Sequence, residues 1–395
     1  MADPPDGAVE LGPRRILILA GEPSGDAHAA VVAAGLRRRW PGVELVGLGG
    51  PAMASAGVTL LRELDELAVM GFVEVLGRIR FFRQLERELG SLLRANDLDL
   101  VLPVDYPGLN LRVAKKAHQL GVPVVYYIGP QVWAWKAGRA SLLARIADRV
   151  AVILPFEVPI YEAAGAQVEY VGHPLMESPV PEPPPGFLEE LGLAPDRPVL
   201  AVFPGSRRQE IRRHLEPFLR IAREVVSRRP EVQVVVSRAP TVPVSEFTEV
   251  GVPVTDDVGA LRQVATAGLV KSGTSTLEAA LAGLPFVVAY KTHPVTYWLA
   301  KRLVQVPHIA LANLVLGSRV VPEFVQGQVT PTEVANALMP LLDPSSQERT
   351  GMLKALAGVP AALGGPGSAG RVVELVEDVL VDRRTRGRPK SPPAP

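Results

Sequence analysis

Residues 15–28 read R-I-L-I-L-A-G-E-P-S-G-D-A-H. Ile16–Ala20 is apolar at every position, too short for a helix, and stopped by Gly21 and Pro23. That is the pattern of a strand buried on both faces. A turn with two glycines and then a helix-length stretch follow it, so the segment opens a βαβ unit. The pattern repeats. Leu45–Leu48, Leu98–Val104, Val122–Tyr127, Val150–Leu154 and Val168–Val171 are further short apolar runs, with helix-length segments such as Phe82–Arg94 and Leu109–Leu120 between them. Strands without a polar face belong to a parallel sheet covered by helices on both sides, which predicts a doubly wound α/β domain.

Glu177–Gly186 interrupts the alternation: five of its ten residues are proline, a density that no helix or central strand survives. Beyond it Val199–Phe203, Val232–Val236, Leu269–Lys271 and Phe286–Tyr290 read as strands, and Gln209–Arg228 and Ser275–Leu281 as helices. The expected organisation is a disordered N-terminus over 1–13, a Rossmann-like domain over 14–176 and a stiff linker over 177–187. A second Rossmann-like domain over 188–365, a helix over 366–384 and a basic, disordered tail over 385–395 complete it. Two such domains are expected to leave a cleft between the carboxyl ends of their sheets, where such folds bind ligands.

Composition narrows the function. The 395 residues suit two large domains at roughly 150 residues or more each. Lys plus Arg number 42 and Asp plus Glu 41, a net charge of +1. The chain therefore lacks the basic field of a duplex binder, and no nucleic-acid partner is expected. Cysteine is absent, which excludes disulfides, thiolate metal sites and a thiol nucleophile. No apolar run approaches the length of about 18 residues that a spanning helix needs. The start of the chain carries Asp3, Asp6 and Glu10, the wrong sign for a signal peptide, so a cytoplasmic chain is expected.

Five turns carry the candidate chemistry. In Gly21-Glu22-Pro23-Ser24-Gly25-Asp26 the glycines and serine can offer N–H groups to an anion or a sugar hydroxyl, while Asp26 reads equally as a helix cap. A second glycine-rich turn, Gly47–Pro51, follows the next strand. The third apolar run ends in Asp105, with Pro107 stopping it; a carboxylate at a buried strand tip suits a general base, and a cap of the following helix is the alternative. In the second half, Pro204-Gly205-Ser206-Arg207 joins strand to helix and suits a phosphate. Ser272-Gly273-Thr274-Ser275-Thr276 does so with four hydroxyls, and Glu278 then falls within reach of a ribose, or else completes a capping box with Ser275. None of the six histidines pairs at ligand spacing, so no metal is expected. His173 in V-G-H-P reads as a ligand contact or a structural hydrogen-bonding residue. Met70, Phe72, Val73, Val75 and Leu76 precede Arg78, Arg80 and Arg83, pairing apolar area with cations as an interfacial anchor does.

These blocks resemble the lipid-A-disaccharide synthases, inverting glycosyltransferases of the two-Rossmann-domain (GT-B) type. The resemblance runs from about Ile16 to Gln326 and rests on A-G-E-P-S-G-D (20–26), G-G-P-A-M (49–53), V-M-G-F-V-E-V-L (69–76), Q-V-W-A-W (131–135), L-P-F-E (154–157), V-G-H-P-L (171–175), P-G-S-R-R-Q-E-I (204–211), S-G-T-S-T-L-E-A-A-L (272–281) and L-A-N-L (311–314). It implies that UDP-2,3-diacylglucosamine donates its sugar to the 6-hydroxyl of 2,3-diacylglucosamine 1-phosphate (lipid X), giving UDP and a β(1→6) disaccharide, with no cofactor. It assigns Asp105 as base; Ser206, Arg207 and Ser272–Thr276 to the donor diphosphate; Glu278 to its ribose. Glu22, Ser24, Gly25, Asp26 and Asn313 fall to the acceptor or sugar. It also implies peripheral attachment to the inner membrane through Met70–Leu76, and the helical C-terminus suggests a homodimer. Gly108, Gly129 and Ser318 depart from the family, where Asp, Ser and Arg are usual. A UDP-N-acetylglucosamine 2-epimerase of the same two-domain plan is the alternative, though it needs no apolar face at Met70–Leu76.

Overall fold

The computed structural model describes residues 12–67, 79–95, 97–133, 138–177, 182–293, 297–298 and 306–386. The chain divides into two compact units, Met1–Pro174 together with Pro366–Pro395, and Leu175–Gly365. The membrane-facing residues expected at Met70, Phe72, Val73, Val75 and Leu76 lie outside the described residues.

The first unit is built on seven strands: β1 (Arg15–Ala20), β2 (Glu44–Gly49), β3 (Thr59–Glu63), β4 (Leu100–Val104), β5 (Val125–Tyr127), β6 (Arg149–Val152) and β7 (Val168–Tyr170). All pair in parallel, in the order β3-β2-β1-β4-β5-β6-β7. Alternation along β1 sends Leu17 and Leu19 to one face and Ile16 and Ile18 to the other, and all four are fully buried. Each such side chain contributes about 1.5–3 kcal/mol of burial, which is why the run has no polar position. Helix α1 (Pro23–Arg39) covers the Ile16/Ile18 face with Ala29, Val32, Ala33 and Leu36. Helices α2 (Ile79–Arg94) and α3 (Pro107–Gln119) cover the opposite face with Leu85, Leu89, Leu93, Leu109 and Val113.

The second unit has six parallel strands, β8 (Val199–Phe203), β9 (Gln233–Ser237), β10 (Val254–Thr255), β11 (Ala267–Lys271), β12 (Phe286–Tyr290) and β13 (Glu323–Val325), in the order β10-β9-β8-β11-β12-β13. The elements that matter for its site are α4 (Arg208–Arg228), α5 (Ser275–Leu281) and α6 (Leu311–Leu316). Within this unit, the proline-rich stretch is followed by the helical turn Phe187–Glu190, where Phe187 and Leu188 are buried.

The last helix, α7 (Ser368–Arg386), belongs to the first unit. Val372, Leu375, Val376 and Val379 are buried in the cluster that holds α1 and β1. A Cβ on Gly35 of α1 would stand 2.9 Å from Val373 Cγ2, so the glycine sets the close approach of the two helices. Most of the apolar face of α7 is thus packed inside the first unit, while Val381 stays exposed. None of the described helices is long and apolar enough to cross a membrane.

Both sheets reverse strand order at one point, between β1 and β4 and between β8 and β11. Ligands of open α/β sheets bind outside the carboxyl ends of the strands at that point. Every polar turn singled out at Gly21–Asp26, Asp105, Pro204–Arg207 and Ser272–Thr276 leaves one of those four strands.

Candidate active site

Asp105 follows β4 immediately and is only partly buried, and its backbone has φ +48°. Tyr106 follows with φ +44°. Two consecutive non-glycine residues in the left-handed region cost free energy and persist only where their surroundings over-determine them. Here they do. The Asp105 N–H donates to the Tyr127 carbonyl at 2.9 Å. Its carbonyl accepts from Tyr126 Oη at 2.8 Å and from Asn110 Nδ2 at 2.8 Å. Asn110 is buried and its amide also reaches the carbonyls of Leu19 and Val104, tying the ends of β1 and β4 together. The first residue of α3 is Pro107 and its N-cap is Tyr106, so Asp105 stands one residue before the cap position. Asn110 and Tyr126 therefore hold the backbone of Asp105, a role that the sequence alone did not assign to either.

The turn after β1 lies against this strained pair. A Cβ on Gly21 would stand 2.2 Å from the Tyr106 ring, so no other residue fits there. Burial, and then the charge of Glu22, raise the Tyr106 hydroxyl above its ordinary pKa. Ser24 is exposed and Gly25 buried. Asp26 departs from its expected role as a sugar contact. It is 4% exposed, and its carboxylate accepts the N–H groups of Gly50 (2.7 Å), Ala52 (3.0 Å) and Met53 (3.0 Å). The acid therefore caps the helical turn Pro51–Ser55 and fastens the two glycine-rich turns to each other.

Behind Asp105 lies a buried polar group. Glu157 accepts from Trp133 Nε1 at 3.1 Å and from Leu154 N–H at 3.1 Å. Burial pushes its carboxyl up to about 7 even so. Tyr161 donates to the Pro130 carbonyl at 2.7 Å, and a Cβ on Gly129 would stand 2.7 Å from the Tyr161 hydroxyl. That crowding gives a reason for glycine where the family usually has serine. Gly108 faces open space, so nothing in the structure requires it. His173 is 5% exposed, and burial, with His28 next, pulls it down to about 4.

Glu157 and His173 tilt stability in opposite directions with pH. A carboxyl raised from 4.5 to about 7 contributes stability that is complete below 4.5 and fades as pH climbs through 7, roughly 3 kcal/mol in all. A histidine lowered from 6.5 to about 4 contributes stability complete above 6.5 and lost as pH falls through 4. Burial lowers His28 as well, which adds to the histidine side. The two slopes oppose each other between about pH 4.5 and 6.5. Across this window the denaturation midpoint should rise more steeply with pH in Glu157→Gln than in the parent chain, and less steeply than the parent in His173→Gln. Parallel profiles for all three proteins would remove both assignments.

In the second unit Gly205 (φ +130°) carries the turn after β8, and a Cβ there would stand 2.6 Å from that of Glu210. Ser206 and Arg207 are exposed. Their N–H groups donate to Glu210 Oε2 at 3.0 and 3.4 Å, while Glu210 Oε1 accepts from Lys271 Nζ at 2.8 Å. Burial alone would raise the Glu210 carboxyl; Lys271, the Ser206 N–H and Arg207 outweigh it and leave it below its ordinary value. The expected amide grip on an anion is therefore taken up by the protein's own carboxylate. His214, whose pKa burial lowers, accepts from Lys291 N–H at 3.0 Å and stacks on Tyr290 behind the turn.

The hydroxyls after β11 divide in two. Ser272 Oγ donates to the Ile309 carbonyl at 2.7 Å, and the fully buried Thr276 donates to the Gly273 carbonyl at 2.8 Å. Thr276 faces inward and does not line the site, contrary to its expected place there. Thr274 is exposed and is the N-cap of α5 without a side-chain cap bond, and Ser275 is partly buried. The capping box of Ser275 with Glu278 does not form; Glu278 Oε2 instead accepts from Arg262 Nη2 at 2.6 Å. Arg262 lies in the helix Val258–Val264 with its guanidinium 5.6 Å from the Phe203 ring centroid.

Asn313 is also corrected. It is fully buried, donates to the Val321 carbonyl (2.9 Å) and Glu323 Oε1 (2.8 Å), and accepts from Val320 N–H (2.9 Å) and Val321 N–H (2.8 Å). That uses all four hydrogen-bonding positions of the amide and leaves none for a sugar. Glu323 also accepts from the N–H groups of Ile309 and Ala310, so this network holds the backbone that receives Ser272. Ser318 is exposed, and the neighbouring Arg319 reaches the Glu323 carbonyl at 3.4 Å. Among the described residues no group of three or more His, Asp or Glu could hold a metal ion.

The family model described as lipid-A-disaccharide synthetase matches residues 16–357, well over half of the chain. The chain belongs to the lipid-A-disaccharide synthetase family. The lipid-A-disaccharide synthase of Myxococcus xanthus is 42% identical over 376 residues, covering 93% of this chain and 98% of its own. That of Geobacter sulfurreducens is 41% identical over 377 residues, covering 93% and 97%. The chain is thus a glycosyltransferase of lipid A biosynthesis. Solved structures share the architecture at much lower identity. UDP-GlcNAc 2-epimerase from Neisseria meningitidis, bound to UDP-GlcNAc, has a TM-score of 0.63 at 12% identity, covering 92% of this chain and 100% of its own. MurG of Acinetobacter baumannii has a TM-score of 0.54 at 16% identity, covering 93% and 100%. Both likenesses show the GT-B fold alone, and the epimerase is a fold relative of this family member.

Proposed function

We propose that the chain joins UDP-2,3-diacylglucosamine to 2,3-diacylglucosamine 1-phosphate, forming a β(1→6) bond with inversion. The acceptor 6-oxygen attacks the anomeric carbon and its proton passes to the Asp105 carboxylate. The bond from that carbon to the diphosphate breaks, and UDP leaves with the electron pair. Arg207, with Thr274 and Ser275, meets the charge that grows on the departing diphosphate. Glu278 holds the ribose through the carboxylate that Arg262 orients. Glu22 and Ser24 line the acceptor side. The observation that carries the reading is the strained backbone of Asp105, φ +48°, secured by Tyr126 and Asn110 on a chain of this family. Incubation with UDP-diacylglucosamine and lipid X tests it: a disaccharide 1-phosphate and one equivalent of UDP are expected. Release of a free sugar, or epimerised donor without disaccharide, would overturn it.

The acyl chains of both substrates need an apolar landing surface, and Met70–Leu76, followed by Arg78, Arg80 and Arg83, supplies apolar area and cations together. Co-sedimentation with anionic vesicles is expected for the parent chain and largely lost in Phe72→Asp/Val75→Asp. Equal recovery of both proteins in the supernatant would contradict the attachment.

A further inference from the structure

We infer that Lys271 is a contact for the diphosphate of the sugar donor, aimed by Glu210; the inference rests on reading the second unit as the nucleotide-sugar site. Lys271 is the last residue of β11, and the preceding Val270 pairs with Phe203, the last residue of β8. The strand order reverses between these two parallel strands, so the lysine stands where the turns 204–207 and 272–274 diverge and where a ligand of such a sheet places its charge.

Glu210 shows what this position favours. Its carboxylate sits where an ammonium and two backbone N–H groups converge, and it remains a carboxylate despite substantial burial. The spot attracts an anion. Because Glu210 takes up the N–H groups of Ser206 and Arg207, the backbone of that turn offers a diphosphate little, and the grip passes to cationic side chains. Arg262 is committed to Glu278 at 2.6 Å. Arg207 lies in the first turn, and Lys271 immediately precedes the second.

The geometry of the lysine fits the task. Its side chain is 18% exposed, and its ammonium lies 5.8 Å from the Tyr290 ring centroid and 3.5 Å from where a Cβ on Gly273 would be. The ammonium is therefore level with the hydroxyl-rich turn. An ammonium has three donors, and among the described residues Glu210 takes one of them. Glycine at 273, with φ +144°, leaves the approach from that side clear.

The test is calorimetric binding of UDP to the parent chain, Lys271→Gln and Lys271→Arg, with uridine binding read by saturation-transfer NMR. Losing a charge-assisted contact should weaken UDP binding about tenfold or more in Lys271→Gln. Lys271→Arg should stay within about threefold, because the charge is kept, and uridine should bind all three alike. Raising salt should weaken UDP binding less steeply in Lys271→Gln than in the parent. Equal UDP affinity in the parent and Lys271→Gln would overturn the inference and leave the lysine as a strut for Glu210. Loss of uridine binding together with UDP in Lys271→Gln would also overturn it, since the pocket rather than a charge would have been lost. If the parent chain binds uridine and UDP not at all, the nucleotide-sugar reading itself fails.

Discussion

Asp105→Asn should bind UDP as the parent chain does and form disaccharide about 10²–10⁴ times more slowly. The substitution is unusually clean because of where the residue sits. Asparagine tolerates the left-handed region better than most side chains, so φ +48° is no obstacle to folding. The bonds that fix the backbone here run through the Asp105 N–H and carbonyl, to Tyr127, Tyr126 and Asn110, and survive the change. What is lost is the capacity to accept a proton. A carboxylate that merely shaped the acceptor pocket would show itself as a raised KM for lipid X with kcat little altered. A base shows itself as a fall in kcat, with kcat/KM falling alongside it. Steady-state kinetics with lipid X varied, and UDP binding by calorimetry, separate the two. Turnover within a few-fold of the parent would take Asp105 out of the chemistry. An alanine at the same place is a poorer probe, since it is ill suited to positive φ and would mix strain with lost catalysis.

The central strands could be read directly because burial on both faces leaves runs such as Ile16–Ala20 and Val199–Phe203 without a polar position. Of the edge strands, β7 is legible as Val168–Val171, whereas the other three carry no such mark. β3, with Thr59 and Glu63 exposed and its middle residues half-buried, the two-residue β10 and the half-buried β13 were absent from the sequence reading for that reason. At the site, sequence located the turns but not the direction of their side chains. Asp26, Thr276 and Asn313 are polar residues within motifs, and a single sequence does not distinguish one that faces a ligand from one that satisfies buried backbone. All three turn inward. The left-handed Asp105–Tyr106 pair had no glycine to announce it, and the Glu210–Lys271 pair joins residues 61 positions apart, which only the fold brings together. The return of α7 to the first unit was hidden likewise, because amphipathic spacing names a buried face without naming its partner.

Asn313→Ala should destabilise the second unit severely, and any loss of activity should follow from that. The amide is fully buried and pairs with two N–H groups, one carbonyl and one carboxylate. Alanine strands the Val321 N–H and takes the amide donor from the Val321 carbonyl, while the Val320 N–H keeps the Ser318 carbonyl at 3.0 Å, and each buried group left unpaired costs about 1–3 kcal/mol. A total of several kcal/mol is a large part of what a domain has in reserve. Glu323 keeps the N–H groups of Ile309 and Ala310 but loses its amide donor, so the backbone that accepts from Ser272 loosens too. Denaturant unfolding, followed by far-ultraviolet circular dichroism, should show unfolding of the second unit shifted to markedly lower denaturant than in the parent chain. A cycle combining Asn313→Ala with Glu323→Gln should be strongly non-additive, because the two side chains share one network. A residue that touched sugar would behave in the opposite way, keeping the unfolding profile and losing kcat/KM. Unchanged unfolding with activity lost would therefore return Asn313 to the ligand. Its 0% exposure and its four filled hydrogen-bonding positions argue for the first result, because an amide with every donor and acceptor already paired must break a bond to the protein before it can make one to a substrate.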